Sequence, residues 1–159
     1  MKILIISDTH GHHNNLEEVL GRMGGLDMLI HLGDSESGEE YISALVECPV
    51  VMVAGNNDFF SALEKEQEFM IKQYRVLATH GHYYQVSLSP ERIRREAIRR
   101  GVDIVMYGHT HRPFIQVKGG LMMINPGSLS FPRQDGRKGS FVIMEIDADG
   151  EVHFTLDYV

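Results

Sequence analysis

The fold is indicated first by residues 2–10, which read KILIISDTH. Lys2–Ser7 is a short β-branched apolar run of the kind found in a strand buried on both faces. Asp8 and His10 follow it at once, so a polar cluster stands directly behind a buried strand. In α/β sheets ligands bind at the carboxyl ends of the strands. The segment therefore predicts a buried strand with a ligand site at its carboxyl end.

The next fifty residues alternate helices with two further apolar strands, at Met28–Leu32 and Val50–Ala54. A strand–helix–strand–helix–strand order implies a parallel sheet with right-handed crossovers.

Two capping patterns place the helices between these strands. Asn15 with Glu18 reads as a capping pair for an amphipathic helix that ends before Gly24-Gly25. Ser37 with Glu40 reads as a capping box for a helix over Glu39–Glu47.

The rest of the chain extends this pattern and then becomes richer in strands. A helix is predicted at about Pro90–Arg100, closed by Gly101. Further strands are predicted at Phe69–Lys72, Tyr74–Thr79, Asp103–Tyr107, Phe114–Lys118, Leu121–Ile124, Ser140–Ile146 and Glu151–Asp157. No linker or internal repeat interrupts the sequence. We therefore predict one α/β domain over residues 1–159, with two mixed β-sheets flanked by helices.

Five predicted strands each end in a polar cluster beside a glycine. These clusters are Asp8/His10, Asp34, Asn56/Asn57/Asp58, His80/His82 and His109/His111. Glycine lets the backbone approach a bound group closely. One such cluster means little, but five together predict a common site.

The side chains in these clusters suit divalent metal ions. Carboxylates, an amide oxygen and imidazoles without thiolate form a borderline-to-hard site for Mn²⁺, Fe²⁺, Zn²⁺ or Co²⁺. Two such ions about 3.5–4 Å apart repel each other, so a carboxylate must bridge them and a hydroxide must be shared. Asp34 stands centrally among the clusters and is the candidate bridging ligand.

Composition excludes several other classes of function. The 159 residues carry 15 Lys+Arg and 22 Asp+Glu, a formal charge of −7, and contain nine histidines. That charge predicts no general attraction to nucleic acid or to an anionic membrane. The single cysteine, Cys48, excludes an internal disulfide and suits a reducing compartment. With no visible signal peptide or membrane span, we expect a cytoplasmic protein.

The ordered motifs resemble the signature of calcineurin-like metallophosphoesterases. They are Asp8-Thr9-His10, Gly33-Asp34, Gly55-Asn56-Asn57-Asp58, His80 and Gly108-His109-Thr110-His111. Asn125-Pro126-Gly127-Ser128 and Pro132-Arg133 also resemble the small bacterial and archaeal phosphodiesterase branch of that family. The resemblance covers most of the chain. It implies a four-layer αββα sandwich and a binuclear metal centre.

The resemblance also implies a division of ligands between two ions. Asp8, His10, Asp34 and His111 would hold the first metal, and Asp34, Asn56, His80 and His109 would hold the second. The cofactors would be two divalent ions, with Mn²⁺ preferred and Fe²⁺, Ni²⁺ or Zn²⁺ as alternatives. A metal-bridging hydroxide would then attack the phosphorus of a small phosphate ester, most simply a diester.

The sequence departs from the family at Asn57, where many members carry a histidine that protonates the leaving group. An amide cannot act as a general acid at neutral pH. Either the substrates have good leaving groups, or His82 supplies the proton; we favour the first. Asp58 is expected to orient neighbouring groups. Arg112 and Arg133 adjoin the motifs and are the candidates for phosphate binding.

Several alternatives remain open at this point. The same metals could serve a phosphomonoesterase, and some relatives keep this fold as a non-catalytic scaffold. A nuclease is disfavoured by the charge, and the arginines of residues 92–100 read better as a solvated helix face. A homodimer is only the commonest default. His31, inside a predicted strand, is expected to be a core histidine.

Overall fold

The structure is a computed structural model that describes all residues Met1–Val159. It contains ten strands and three α-helices, and a single 3₁₀ turn at His82–Tyr84. The strands are β1 (Lys2–Ile6), β2 (Met28–His31), β3 (Val50–Met52), β4 (Glu66–Ile71), β5 (Tyr74–Thr79), β6 (Ile104–Met106), β7 (Pro113–Lys118), β8 (Leu121–Pro126), β9 (Ser140–Ile146) and β10 (Val152–Tyr158). The helices are α1 (Asn14–Arg22), α2 (Glu39–Ala44) and α3 (Glu91–Arg100). None of these helices is long and apolar enough to cross a bilayer.

The strands form two five-stranded mixed sheets, as the sequence predicts. The first has the order β10-β9-β1-β2-β3, in which β1, β2 and β3 are parallel and β9 runs antiparallel to both β1 and β10. The second has the order β4-β5-β6-β8-β7, in which β5, β6 and β8 are parallel and the two edge strands are antiparallel.

The side chains of β1 show how the layers are built. Ile3 and Ile5 belong to the core shared by the two sheets, whereas Leu4 and Ile6 belong to a second core with α1 and α2. This division follows from the alternation of side chains across a strand. A third core joins the outer face of the second sheet to α3. The layers are therefore helix, sheet, sheet, helix, and the predicted four-layer αββα sandwich is confirmed.

The two predicted helix caps are wrong, for different reasons. Asn15 lies inside α1 and its Nδ2 donates a hydrogen bond to the Leu129 carbonyl at 2.7 Å. Ser37 has a φ of 69°, whereas an N-cap residue needs extended backbone, and α2 begins after Gly38 instead. Helix α2 also ends at Ala44, three residues before the predicted end.

The carboxyl ends of the parallel strands meet at one edge of the sandwich. The loops that follow them are joined by backbone hydrogen bonds within each sheet: Asp8 N donates to the Gly33 carbonyl at 3.0 Å, and Gly108 N donates to the His80 carbonyl at 3.1 Å. Side-chain contacts then cross between the sheets, since His109 N donates to Asp8 Oδ2 at 3.1 Å. The five polar clusters are therefore brought to a common place.

Candidate metal centre

Five of the seven predicted metal ligands have left-handed backbone. Their φ angles are 55° at Asp8, 48° at His10, 56° at Asp34, 69° at His109 and 56° at His111. A left-handed residue other than glycine costs about 1–2 kcal/mol, so it persists only where the surrounding structure imposes it. The strand ends supply that constraint through bonds such as His10 N to the Asp34 carbonyl, at 2.9 Å. The fold therefore holds this edge in a strained, preorganised form.

Three imidazoles present Nε2 to two buried carboxylates. His111 Nε2 lies 3.1 Å from Asp8 Oδ1, and His80 Nε2 lies 3.4 Å from Asp34 Oδ2. His10 Nε2 lies 3.9 Å from Asp8 Oδ1 and 3.8 Å from Asp34 Oδ2. Two groups of possible ligands result, Asp8 with His10 and His111, and Asp8 with Asp34 and His80.

The other ring nitrogen of each of these three histidines, Nδ1, contacts an oxygen acceptor. These acceptors are Glu36 Oε1 for His10 at 2.7 Å, the Leu32 carbonyl for His80 at 2.7 Å and the Phe131 carbonyl for His111 at 2.6 Å. An acceptor at Nδ1 fixes the proton there and leaves the Nε2 lone pair free for a metal. Asp8 Oδ1, buried and without a hydrogen-bond partner, lies among these nitrogens. The residues therefore fit divalent metal ions.

Asn56 and His109 lie beside the second group. Asn56 Oδ1 is 3.1 Å from His80 Nε2, so this amide oxygen lies next to the ligand atoms. The rings of His109 and His80 have centroids 5.1 Å apart. The ring nitrogens of His109 are not among the atoms that converge in either group.

Asp8 has a more central position than the sequence indicates. It belongs to both groups of ligands, and Asp34 also contacts a histidine of each. The order of the motifs along the chain indicates only Asp34 as central. Nothing in the linear order signals that Asp8 is shared, because the contacts of Asp8 with His111 join residues about a hundred positions apart.

The carboxylates are held in their ionised form. Burial alone would raise the pKa of Asp34, but a hydrogen bond and the positive charge of His80, with the donors of Asn57, hold it well below its usual range. Burial would likewise raise the pKa of Asp8, and His111 and His80 lower it. The pKa of His80 is raised, because the two carboxylates outweigh its burial. Ionised carboxylates at this edge are ready to act as metal ligands.

Asp58 makes the contacts expected of a residue that orients the site. Its carboxylate accepts hydrogen bonds from the backbone nitrogens of Asp34, Glu36 and Gly55, each at 2.7 Å. It also accepts one from Ser35 Oγ at 3.3 Å. Asp58 therefore ties the loop after β2 to the loop after β3.

Asn57 braces Asp34 from the other side. Its backbone nitrogen donates to Asp34 Oδ1 at 2.8 Å, and its Nδ2 donates to Asp34 Oδ2 at 2.7 Å. The position that carries a histidine in many family members thus fixes the orientation of a ligand carboxylate here.

His82 lies near the centre in an environment that keeps it neutral. It lines a cavity of about 410 Å³ together with Asn56, and its ring centroid is 5.4 Å from that of His80. Burial, followed by the positive charges of His80 and His109, lowers the pKa of His82 to about 4. An imidazole with that pKa carries no proton to donate at pH 7 beyond its neutral N–H.

Arg112 and Arg133 lie on exposed loops beside His111 and point to no ligand carboxylate. Arg112 Nε donates to the Arg133 carbonyl at 3.2 Å, and Arg133 N donates to the His111 carbonyl at 2.9 Å. Neither guanidinium forms a salt bridge, so the charge of each is not neutralised by a carboxylate.

The segment 125–128 contacts two of the loops that form the centre. Asn125 Nδ2 donates to the Gly108 carbonyl at 2.9 Å, and Ser128 Oγ donates to the Asp8 carbonyl at 2.8 Å. Sequence reasoning missed Glu36 and Phe131, which fix His10 and His111. The only signal for Glu36 was an acidic residue two positions after Asp34, and a backbone carbonyl such as that of Phe131 leaves none.

His31 is a core histidine, as predicted, and gives a test of stability against pH. It is fully buried; its Nδ1 accepts from Gly33 N at 3.2 Å, and its Nε2 lies 3.0 Å from Thr9 Oγ1. Burial, offset only partly by Asp8 and Asp58, lowers its pKa to about 4.

We expect metal-free protein to lose stability as the pH falls from about 6.5 to 4, because the unfolded chain then takes up a proton at His31 that the folded chain refuses. The contribution is fully present above pH 6.5, and its loss reaches about 3 kcal/mol at pH 4. Urea unfolding at pH 7 and pH 4.5 measures this for the natural chain and for His31→Gln. The variant should show a shallower pH dependence; equal slopes would contradict the assignment.

The fold and the site together define a class of protein, αββα sandwiches with a carboxylate–imidazole centre suited to divalent metals. The sequence model of the calcineurin-like phosphoesterase superfamily domain matches residues 1–149. A probable metallophosphoesterase of Bacillus subtilis, YsnB, is 34% identical over 150 residues, covering 94% of this chain and 86% of that protein. The chain therefore belongs to the calcineurin-like phosphoesterase superfamily.

Other similar proteins agree with this membership. The phosphodiesterase YfcE of Escherichia coli is 29% identical over 171 residues, covering 92% of this chain and 89% of that protein. A solved structure of a predicted phosphoesterase from Streptococcus pneumoniae has a TM-score of 0.80 at 29% identity, covering 99% and 97% of the two chains. The fold is also similar to Vps29 from Entamoeba histolytica, solved with Zn²⁺, with a TM-score of 0.79 at 22% identity and 99% coverage of both.

Proposed function

We propose that this chain is a binuclear metal-dependent phosphodiesterase that hydrolyses small phosphate esters. The observation that carries the proposal is the pair of ligand groups, which meet at Asp8 and are both contacted by Asp34. Relatives named metallophosphoesterase or phosphodiesterase support the reaction class. Mn²⁺ is the proposed metal, with Fe²⁺, Ni²⁺ and Zn²⁺ as alternatives that accept the same donors.

Divalent ions held there would supply a nucleophile from water and positive charge for the phosphate oxygens. The chain's own contribution is to fix the donors. The two carboxylates stay ionised, and Nε2 of each of the three histidines points inward because each Nδ1 already has an acceptor. Two divalent ions and the two carboxylates, Asp8 and Asp34, would leave two positive charges at the centre. A small anion would therefore be attracted there even though the whole chain carries −7.

The side chains near the expected leaving group favour substrates whose leaving group departs without a proton. Asn57 is engaged with Asp34, and His82 has a pKa of about 4, so neither side chain holds a readily transferable proton at pH 7. A general acid typically contributes about 10²–10⁴-fold to rate. We therefore propose that esters with good leaving groups are hydrolysed faster than alkyl esters.

A phosphomonoesterase is the nearest alternative, since the same donors suit both reactions. A non-catalytic scaffold is the alternative that the likeness to Vps29 favours, and the intact donor set argues for catalysis. The natural substrate is proposed to be a small ester in the cytoplasm, with no nucleic-acid or membrane partner, because no strongly basic net charge is present.

The test is a metal-reconstituted screen of purified protein against paired aryl monoesters and aryl diesters. Metal content is measured on the same sample. We expect about two ions per chain and faster turnover of the diester. Turnover confined to the monoester would favour a phosphomonoesterase, and two bound ions without turnover of any ester would favour the scaffold.

Introducing a proton donor at position 57 should raise the rate on poor leaving groups. We expect Asn57→His to increase kcat for dialkyl diesters, which must expel an alkoxide, by about 10-fold or more, while changing kcat for diesters that expel an aryl oxide little. Kinetics across a series of leaving groups measures the dependence on leaving-group pKa, which should become shallower.

Asn57→Ala is the matched control, because it removes the same bond to Asp34 without adding an acid. A rate increase in both variants, or in neither, would contradict the proposed reason for the preference.

A further inference from the structure

A cavity of about 330 Å³ opens beside the loops that carry the candidate metal centre, next to the cavity lined by His82. Its walls include Asn57, which holds Asp34 at 2.7 Å, and Glu36, which holds His10 at 2.7 Å. One residue therefore stands between the cavity and each of two candidate ligands: Asn57 before Asp34, and Glu36 before His10. One substituent of a phosphate ester bound at the centre would lie next to it.

Two exposed aromatic rings form part of the wall of this cavity. The relative exposure is 79% for Phe59 and 100% for Phe60. Neither Phe59 nor Phe60 belongs to any aromatic pair of the structure, and both rings are exposed. The face of an aromatic ring carries a negative quadrupole that attracts cations. Unpaired rings at this place offer a surface for a cationic group.

The charged groups of the wall are all acidic. Glu36, Glu39 and Asp58 contribute carboxylates, and no lysine, arginine or histidine lines the cavity. Asp58 is saturated by four hydrogen bonds and Glu36 contacts His10. Glu39 is half-buried and has neither an ion pair nor a side-chain hydrogen bond, so its charge is uncompensated. The cavity repels an anionic substituent and attracts a cationic one.

The adjoining cavity, which shares Asp58 and Phe59 with this one, differs in charge at its far end. There Lys65 places Nζ 4.9 Å from the centroid of the Tyr83 ring, and His82 lines the same space. The two adjoining cavities therefore offer different charges to a substituent of a bound ester. A cationic group is favoured in the cavity lined by Glu39, because that cavity has no basic residue in its wall.

We infer that the cavity beside Phe59, Phe60 and Glu39 binds the alkylammonium group of a phosphate ester, as in phosphocholine-type compounds. A quaternary ammonium needs no hydrogen bonds, and its methyl groups and charge suit aromatic faces and a nearby carboxylate. The cavity volume of about 330 Å³ lies in the range of small-molecule sites. This inference names the substrate class of the proposed phosphodiesterase and rests on that function for the position of the phosphate.

The test compares two phosphate monoesters of the same shape on Mn²⁺-loaded protein. Phosphocholine carries the quaternary ammonium, and 3,3-dimethylbutyl phosphate replaces its nitrogen by carbon. We expect calorimetric titration to show phosphocholine binding about 5- to 10-fold more tightly, the size of a partly desolvated cation–π contact. Both Phe60→Leu and Glu39→Gln should lower that ratio to about 2-fold or less, without weakening the neutral ester.

Glu40→Gln is the matched control, since Glu40 is the next acidic residue of the first turn of α2 but does not line this cavity. It should leave the ratio unchanged. Equal affinity for the two esters in the natural chain, or a ratio that survives either cavity substitution, overturns the inference and leaves the phosphate centre standing. If neither ester binds the metal-loaded protein, the proposed phosphate centre fails and the inference fails with it.

Discussion

Asp34→Asn is expected to abolish both metal retention and phosphodiester hydrolysis. Asp34 contacts His10 and His80 through Oδ2, and both of its oxygens accept hydrogen bonds from Asn57. An amide loses the charge that offsets two cations, and its NH₂ group would face one of the Asn57 donors. Loss of an outer partner of a ligand already costs about 10–100-fold, so loss of this ligand should exceed about 100-fold. Metal analysis after dialysis and initial rates on an aryl diester measure both effects.

Asp149→Asn is the control, since Asp149 lies in the exposed turn between β9 and β10. It removes one negative charge far from the centre and should keep both metals and the rate. Circular dichroism of the metal-free proteins checks that Asp34→Asn still folds. If the Asp34→Asn protein bound two ions and turned over the diester at the rate of the natural chain, the proposed mechanism would be wrong.

Gly55→Ala is expected to disable the same centre by steric means alone. A Cβ at Gly55 would overlap Asp34 at the backbone nitrogen and at the carboxylate, whose Cγ would be only 2.8 Å away. Because one of these atoms is backbone, the clash cannot be relieved by a rotamer change. We expect a loss of about 1–3 kcal/mol in stability of the metal-free protein. The displaced carboxylate should also lower metal affinity by about 10-fold or more.

Gly21→Ala is the matched substitution. Gly21 is an exposed residue of α1, and a Cβ there would have nothing within 4 Å. Alanine is favoured over glycine inside a helix, so this variant should gain about 0.5–1 kcal/mol. Urea unfolding and metal titration of the two variants separate the effects. If Gly55→Ala bound metal and unfolded like the natural chain, the close approach of these two loops would be wrong.

The sequence predicts the fold well where the pattern is local. Strand β1 alternates side chains between two cores, and its apolar run gives the prediction of a strand buried on both faces. The helix caps were mispredicted because the two side chains expected to form them have competing uses, although α2 does begin at Glu39 as predicted. Asn15 bonds the carbonyl of Leu129, far along the chain, and Ser37 adopts left-handed backbone in the loop beside Asp34. A capping rule considers only neighbours in sequence.

The candidate site likewise has features that the sequence predicts and features that it does not. The positions of the ligands follow from strand ends, because parallel strands bring their carboxyl ends to one edge. The partners that fix each imidazole do not follow, since Glu36, Leu32 and Phe131 contribute through loop geometry and backbone carbonyls. The neutral state of His82 also depends on burial and on charges from other strands. Such properties arise only when distant segments are packed together.

The left-handed backbone at the metal centre has a consequence for the metal-free chain. Each strained residue costs about 1–2 kcal/mol compared with a conformation that its side chain prefers, and glycine would relieve that cost. Substitution of His10 by glycine would therefore relieve its left-handed backbone while removing a candidate ligand, whereas loss of His111 would also leave the buried Asp8 carboxylate without a contact that lowers its pKa. Backbone strain at the candidate ligands is therefore a cost to the metal-free fold, and under the proposed function the binding of divalent ions would offset it.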